Sequence, residues 1–193
     1  MIENNNNFYS MEELKALGFK HVGQEVYISR KASLYGCGKM SIGNHVRVDD
    51  FCILSGKVEI GNYVHVAAYS ALYGGEDGVH IDDFANISSR VSVYSVSDDY
   101  SGETMTNPMV PDEYKKVTSA PVHIGEHVII GSTSVILPGV KVAEGGSFGC
   151  FSLIKEDTEP WWIYTGIPCK KLRERSKKLL KVAEIFVKDR EKR

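Results

Sequence analysis

The 193-residue chain lacks any apolar run approaching the eighteen or so residues that a membrane-spanning helix needs, so no membrane partner is expected. It lacks a charge excess: 23 lysines and arginines stand against 25 acidic residues, for a formal charge of −2. Nucleic acid and anionic lipid are therefore not expected partners. The opening MIENNNNFYS has no basic stretch leading into an apolar one, and a cytoplasmic location is expected. Cysteine is sparse and scattered. Cys37, Cys52, Cys150 and Cys169 form no CxxC pair and no cluster with histidine at zinc spacing, so reduced thiols are expected, with neither a disulfide framework nor a metal centre. The length suits one core with short helical ends.

What the chain has is a period of six. Stepping by six from Ile42 lands on Val48, Leu54, Ile60, Val66 and Leu72; from Ile124 it lands on Ile130, Ile136, Val142, Phe148 and Ile154. Upstream the count gives Val22, Ile28 and Leu34 before slipping by two, and in the middle Ile81, Ile87 and Val93. Four residues after each landing the side chain tends to be small or slim: Val46, Cys52, Val58, Val64, Ser70, then Val128, Ser134, Val140, Gly146 and Ser152. Neither a helix nor plain alternation has this period. A short strand plus a turn does, and three such units close one triangular coil whose neighbours pair along the axis.

The period breaks twice. Between Leu72 and Ile81 the step is nine, and Tyr73-Gly74-Gly75-Glu76-Asp77-Gly78 is expected to bulge. Between Val93 and Ile124 it is 31, a polar, proline-punctuated loop over 94–121. Long loops leaving rigid scaffolds commonly carry function; a disordered surface insertion is the alternative. Residues 1–21 form an N-terminal segment in which Ser10-Met11-Glu12-Glu13 has capping-box spacing for a short helix to Leu17. Residues 22–172 form the coiled domain. In 173–193, Leu179, Val182, Ala183 and Phe186 share one helical stripe, expected to dock on the coils or on a neighbouring subunit.

From about Val22 to Leu172 this pattern resembles the hexapeptide-repeat acyltransferase superfamily. The resemblance implies an all-β fold, a left-handed parallel β-helix with a long inserted loop and a C-terminal α-helix, assembled as a homotrimer. The match is strongest with sugar O-acetyltransferases and with N-acyltransferases of nucleotide-linked amino sugars, such as those of the anthrose pathway. It runs from Val48-Asp49-Asp50-Phe51-Cys52-Ile53-Leu54 to Ile163-Tyr164-Thr165-Gly166-Ile167-Pro168, where Cys169 replaces the usual alanine and Lys170 is retained. It implies acetyl-CoA or another acyl-CoA as cosubstrate, bound in a groove between subunits. Gly131, Ser132, Ser134, Gly149 and Ser152 would line that groove, Lys155, Lys170 and Lys171 would meet its phosphates, and Trp161 and Trp162 would cover the coenzyme or cap the last coil.

One departure bears on the acceptor. Where the O-acetyltransferases carry a histidine base at the start of the loop, this chain has Asp98. With an ordinary pKa of about 3.9, an aspartate is a weak base for a sugar hydroxyl, whereas a carboxylate suits an ammonium ion. Asp98 or Asp99, helped by Ser88 and Glu103, is the candidate catalytic set; Tyr73, Ser89, Tyr94, His65 and His80 are the candidate substrate-binding residues. Local backbone capping is the alternative for the aspartates and serines. The count puts His45, His65, His80, His123 and His127 outside the coil, with solvation the default; an approach of His65 to His80 through adjacent coils would admit a base or, with a third histidine, zinc.

The reading is an acyl-CoA-dependent N-acyltransferase acting on a nucleotide-linked amino-deoxysugar of the dTDP-4-amino-4,6-dideoxyglucose type. The alternatives are a sugar or polysaccharide O-acetyltransferase and a noncatalytic β-helix assembly module.

Overall fold

In the computed structural model, which describes residues 7–191, the hexads form three parallel ladders wound into a left-handed β-helix of about seven coils. Face I stacks Val22, Ile42, Ile60, Ile81, Ile124 and Val142. Face II stacks Ile28, Val48, Val66, Ile87, Ile130, Phe148 and Tyr164. Face III stacks Leu34, Leu54, Leu72, Val93, Ile136 and Ile154. Parallel pairing in register sets each aliphatic on the one below, so no hexad is buried alone and all are buried together. From Ile42 to Ile154 every residue in these columns is buried; Val22 and Leu34 of the first coil are half-buried.

The corners have a uniform conformation that the period had not suggested. The third residue after an inward aliphatic sits in the left-handed region: His45, Tyr63, Phe84 and His127 between faces I and II; Phe51, Tyr69, Arg90, Thr133 and Phe151 between faces II and III. Such a conformation costs about 1–3 kcal/mol at a non-glycine residue. Stacking offsets part of that cost. The rings of His45, Tyr63, Phe84 and His127 lie one above the next with centroids 4.4, 5.1 and 5.0 Å apart.

Both ends of the coil are covered. Ser10 caps the helix Met11–Ala16 in a reciprocal capping box with Glu13, and Leu14 is fully buried against the first coil. At the other end, Lys170–Glu174 runs antiparallel to Trp162–Thr165 and closes the edge of face II. Buried Trp161 donates its indole N–H to Glu144 at 3.0 Å, capping the last coil. The helix Lys178–Glu191 sets Phe186 edge-on to Tyr63 and Phe84 on the aromatic corner. Val182, grouped on that stripe by its spacing, is 66% exposed and lies beside the docked face.

The long insertion leaves the end of face III and is itself folded. Val96–Ser97 pairs antiparallel with Thr118–Ser119 at its base, and Ala120 N–H donates to the Ser95 carbonyl at 2.9 Å. The coil closes beneath it as though uninterrupted, Ser92 and Val93 pairing with Val135 and Ile136.

Candidate active site

The corner between faces II and III gathers residues that the sequence keeps far apart. Ser88, Gly131 and Gly149 each follow an inward residue of face II, and their N–H groups donate to Ile130, Phe148 and Tyr164 at 3.0, 2.8 and 2.9 Å. They therefore stand in one column. Ser89 and Ser132 stand in the next, with hydroxyl oxygens 3.3 Å apart. The candidate catalytic serine and the candidate coenzyme residues thus share one corner.

Coil packing itself demands the glycines here. A Cβ on Gly131 would meet the Cys150 nitrogen at 2.6 Å, and one on Gly149 the Thr165 hydroxyl at 2.9 Å. Ser134 and Ser152 require a correction. Both are buried, and both donate inward: Ser134 Oγ to the Gly131 carbonyl at 2.7 Å, Ser152 Oγ to the Gly149 carbonyl at 2.7 Å. They hold the turns rather than a coenzyme. Gly131, Ser132 and Gly149 remain on the accessible side.

Tyr73 and Tyr94 stack at 5.0 Å where the loop departs, and burial, with a smaller contribution from Tyr94, pushes the Tyr73 phenol upward in pKa. Beneath them buried Ser95, which sequence reasoning missed, donates to the Tyr73 carbonyl at 3.0 Å.

The two aspartates differ. Asp99 is the hub of the loop: it accepts from Ser101 N–H at 2.8 Å, Thr104 N–H at 3.0 Å and Thr104 Oγ1 at 2.9 Å. Those hydrogen bonds, Ser101 foremost, hold its carboxyl far below the usual range. Three of its bonds go to the loop itself, the role that the capping alternative gives it. Asp98 is exposed, and its carboxylate has no hydrogen bond or ion pair among the described residues. Glu103 is exposed further along the loop.

Ser88 and Asp98 stand at opposite ends of face III. The turn at Ser89 and Arg90 and the strand Ser92–Tyr94 lie between them in the chain.

The histidines are not brought together. His65 lies on face II between Arg47 and Asn86 and bonds Asp49 at 2.8 Å; His80 lies on face I between Glu59 and His123 and bonds Glu59 at 2.9 Å. Different faces never adjoin through successive coils, so the expected approach of these two is corrected. Nor is solvation the rule: His80 stacks on His123 at 4.6 Å, and His45 and His127 are part of the aromatic corner. Among the described residues no group of three or more histidine, cysteine or acidic side chains is placed to hold a metal ion.

Lys155, Lys170 and Lys171 line one cavity of about 270 Å3 beside Pro168 and Cys169 at the end of the coil. Lys155 pairs with Glu156 at 3.4 Å, and Lys171 pairs with Glu159 while lying over the Trp162 ring. Lys170 has no carboxylate partner among the described residues.

A β-helix with a glycine–serine corner and a folded acidic loop defines a hexapeptide-repeat acyltransferase. No protein-family profile matches the chain. A dTDP-4-amino-4,6-dideoxy-D-glucose acyltransferase of Escherichia coli is 51% identical over 177 residues, covering 90% of this chain and 92% of that protein. The crystal structure of AntD, an N-acyltransferase from Bacillus cereus, in complex with dTDP and 3-hydroxybutyryl-CoA is 51% identical, with a TM-score of 0.95 over 97% of this chain and 100% of that one. A serine variant of AntD with dTDP-4-amino-4,6-dideoxyglucose and coenzyme A has a TM-score of 0.94 at the same identity, over 96% of this chain and 100% of that one. The chain belongs to the dTDP-4-amino-4,6-dideoxyglucose acyltransferases.

Proposed function

We propose that the protein transfers an acyl group from an acyl-CoA thioester to the amino nitrogen of dTDP-4-amino-4,6-dideoxyglucose. The observation that carries the choice of nitrogen is the unpaired carboxylate of Asp98 at the loop base, with each histidine on the candidate list bonded to a carboxylate elsewhere. AntD has been crystallised as variants of one serine and of one aspartate ten positions further along. Ser88 and Asp98 have the same spacing here; Ser89 and Asp99 share it, but the Asp99 carboxylate is bonded to Ser101 and Thr104 within the loop.

Asp98 binds the incoming ammonium and orients it. After that nitrogen releases a proton to the carboxylate or to water, its lone pair attacks the thioester carbonyl. The nitrogen then gives up its second proton as the C–S bond breaks and the amide forms, and the departing sulfur takes up a proton to leave as the free thiol. Ser88 and Ser132 border the coenzyme corner, with the Gly131 and Gly149 backbone letting the pantetheine chain approach closely. Lys155, Lys170 and Lys171 meet its phosphates.

Membership of the hexapeptide-repeat acyltransferases supports a homotrimer, with the loop of one subunit against the corner of the next. Four free thiols and a thioester donor support a cytoplasmic setting. No helix among the described residues is long and apolar enough to cross a membrane.

The test is release of coenzyme A thiol with dTDP-4-amino-4,6-dideoxyglucose and with its 4-hydroxy counterpart. Turnover of the amine alone is expected; turnover of the hydroxyl sugar would redirect the reading to O-acylation.

A further inference from the structure

The bulge over 73–78 enters the site as described only through Tyr73, yet contacts at both of its ends tie it to the base of the loop. Tyr73 stacks on Tyr94. The Tyr73 carbonyl accepts from both the N–H and the hydroxyl of Ser95, at 2.9 and 3.0 Å. At the far end of the bulge, the Asp77 carboxylate accepts a hydrogen bond from Ser119 Oγ.

Ser119 is the partner of Val96 in the two-stranded base, and Thr118 is the partner of Ser97. Asp98 follows immediately. The direction in which its carboxylate leaves the coil is therefore set by this short pair of strands, and two paired residues a side are too few to hold a fixed geometry unaided. The antiparallel pair is clamped from outside: Ser95 anchors its entering strand to Tyr73, and Asp77 anchors its returning strand through Ser119. Gly75 makes this approach possible. It sits at φ 50°, where a Cβ would already be 3.3 Å from Ser95 Oγ, so the bulge lies directly on the strand it steadies.

We infer that Asp77 is a positioning residue for acyl transfer, fixing the loop base, and through it Asp98, by accepting the Ser119 hydroxyl. The inference rests on the proposed role of Asp98. The hydroxyl requires an acceptor, not a charge, so an amide in place of the carboxylate serves the same function.

The experiment compares Asp77→Ala, Asp77→Asn, Ser119→Ala and the Asp77→Ala/Ser119→Ala pair with the parent enzyme and with Asp98→Ala. It measures kcat and KM for each substrate, and Tm. Loss of one hydrogen bond to a charged group predicts a fall of about tenfold in kcat/KM for the amino sugar in Asp77→Ala, with the acyl-CoA KM and Tm unchanged. Asp77→Asn retains most of the activity, Ser119→Ala matches Asp77→Ala, and the double variant is no worse than either single one. Full activity of Asp77→Ala beside an inactive Asp98→Ala would overturn the inference while leaving the function intact. So would equal loss in Asp77→Asn and Asp77→Ala accompanied by a fall in Tm. Full activity of Asp98→Ala would instead bring down the proposed role on which the inference stands.

Discussion

Ser89 and Ser132 are separated by 43 residues of chain, and their hydroxyl oxygens meet at 3.3 Å. The contact spans the whole inserted loop, and the residue above Ser132 in the same column is Cys150, an exposed thiol. If this corner carries the coenzyme, Cys150 reports on it.

Alkylation should therefore discriminate among the thiols. Cys150 is expected to react first and to be protected by coenzyme A, while Cys52, buried and with its pKa pushed up to about 11 by that burial, stays unmodified. Peptide mass mapping after brief treatment checks both. Equal labelling of Cys150 with and without coenzyme would move the coenzyme to another surface.

Ser134 makes a prediction of the opposite kind, since its hydroxyl serves the interior. It donates to the Gly131 carbonyl and accepts from Ser152 N–H at 3.1 Å. Ser134→Ala should cost about 1–3 kcal/mol in denaturant unfolding, the usual penalty for stranding buried partners. The acyl-CoA KM should hardly move.

Replacing 98–117 by a two-residue Asn-Gly turn should leave the far-UV circular dichroism and Tm of the coil nearly intact, because Val93 and Ile136 pair beneath the loop regardless. Transfer to the amine should fall by about a hundredfold or more, the usual range for losing a group that binds and deprotonates the nucleophile. Retained turnover would relocate the acceptor site.

Asp49 ties acid stability to face II. Burial pushes its carboxyl upward, but hydrogen bonds from His65 and then Arg47 more than reverse this, leaving it below the ordinary value of about 3.9. A depressed carboxyl contributes stability that is present above the unfolded value and lost as pH falls through the folded one. The drop in Tm between pH 6 and pH 3 should accordingly be smaller in Asp49→Asn than in the parent.

The interior was legible because burial has the same period as the sequence: each counted aliphatic from Ile42 to Ile154 is inside. The same count already contradicted the reading of Ser134 and Ser152 as coenzyme contacts, since both fall on the small inward position; a hydroxyl suggested a ligand where a turn carbonyl needed a donor. Counting hexads in threes separates His65 from His80, because a face recurs only every third hexad. The aromatic corners had a signal too, at the third place after each aliphatic, where His45, Phe51, Tyr63, Tyr69 and Phe84 recur. The tie between Asp77 and Ser119 had none. It joins two departures from the period, and periodicity is silent about how its own interruptions meet.

A coil whose rungs all repeat has no internal reason to stop growing. Its last parallel rung, Trp162–Thr165, would offer unpaired amides and carbonyls in register with the first rung of another molecule, and chains could add end to end into a filament. The antiparallel strand Lys170–Glu174 occupies that edge, and its own outer side presents four charged residues among five. Reversal of chain direction over five residues thus closes the edge of face II to the addition of a further parallel rung.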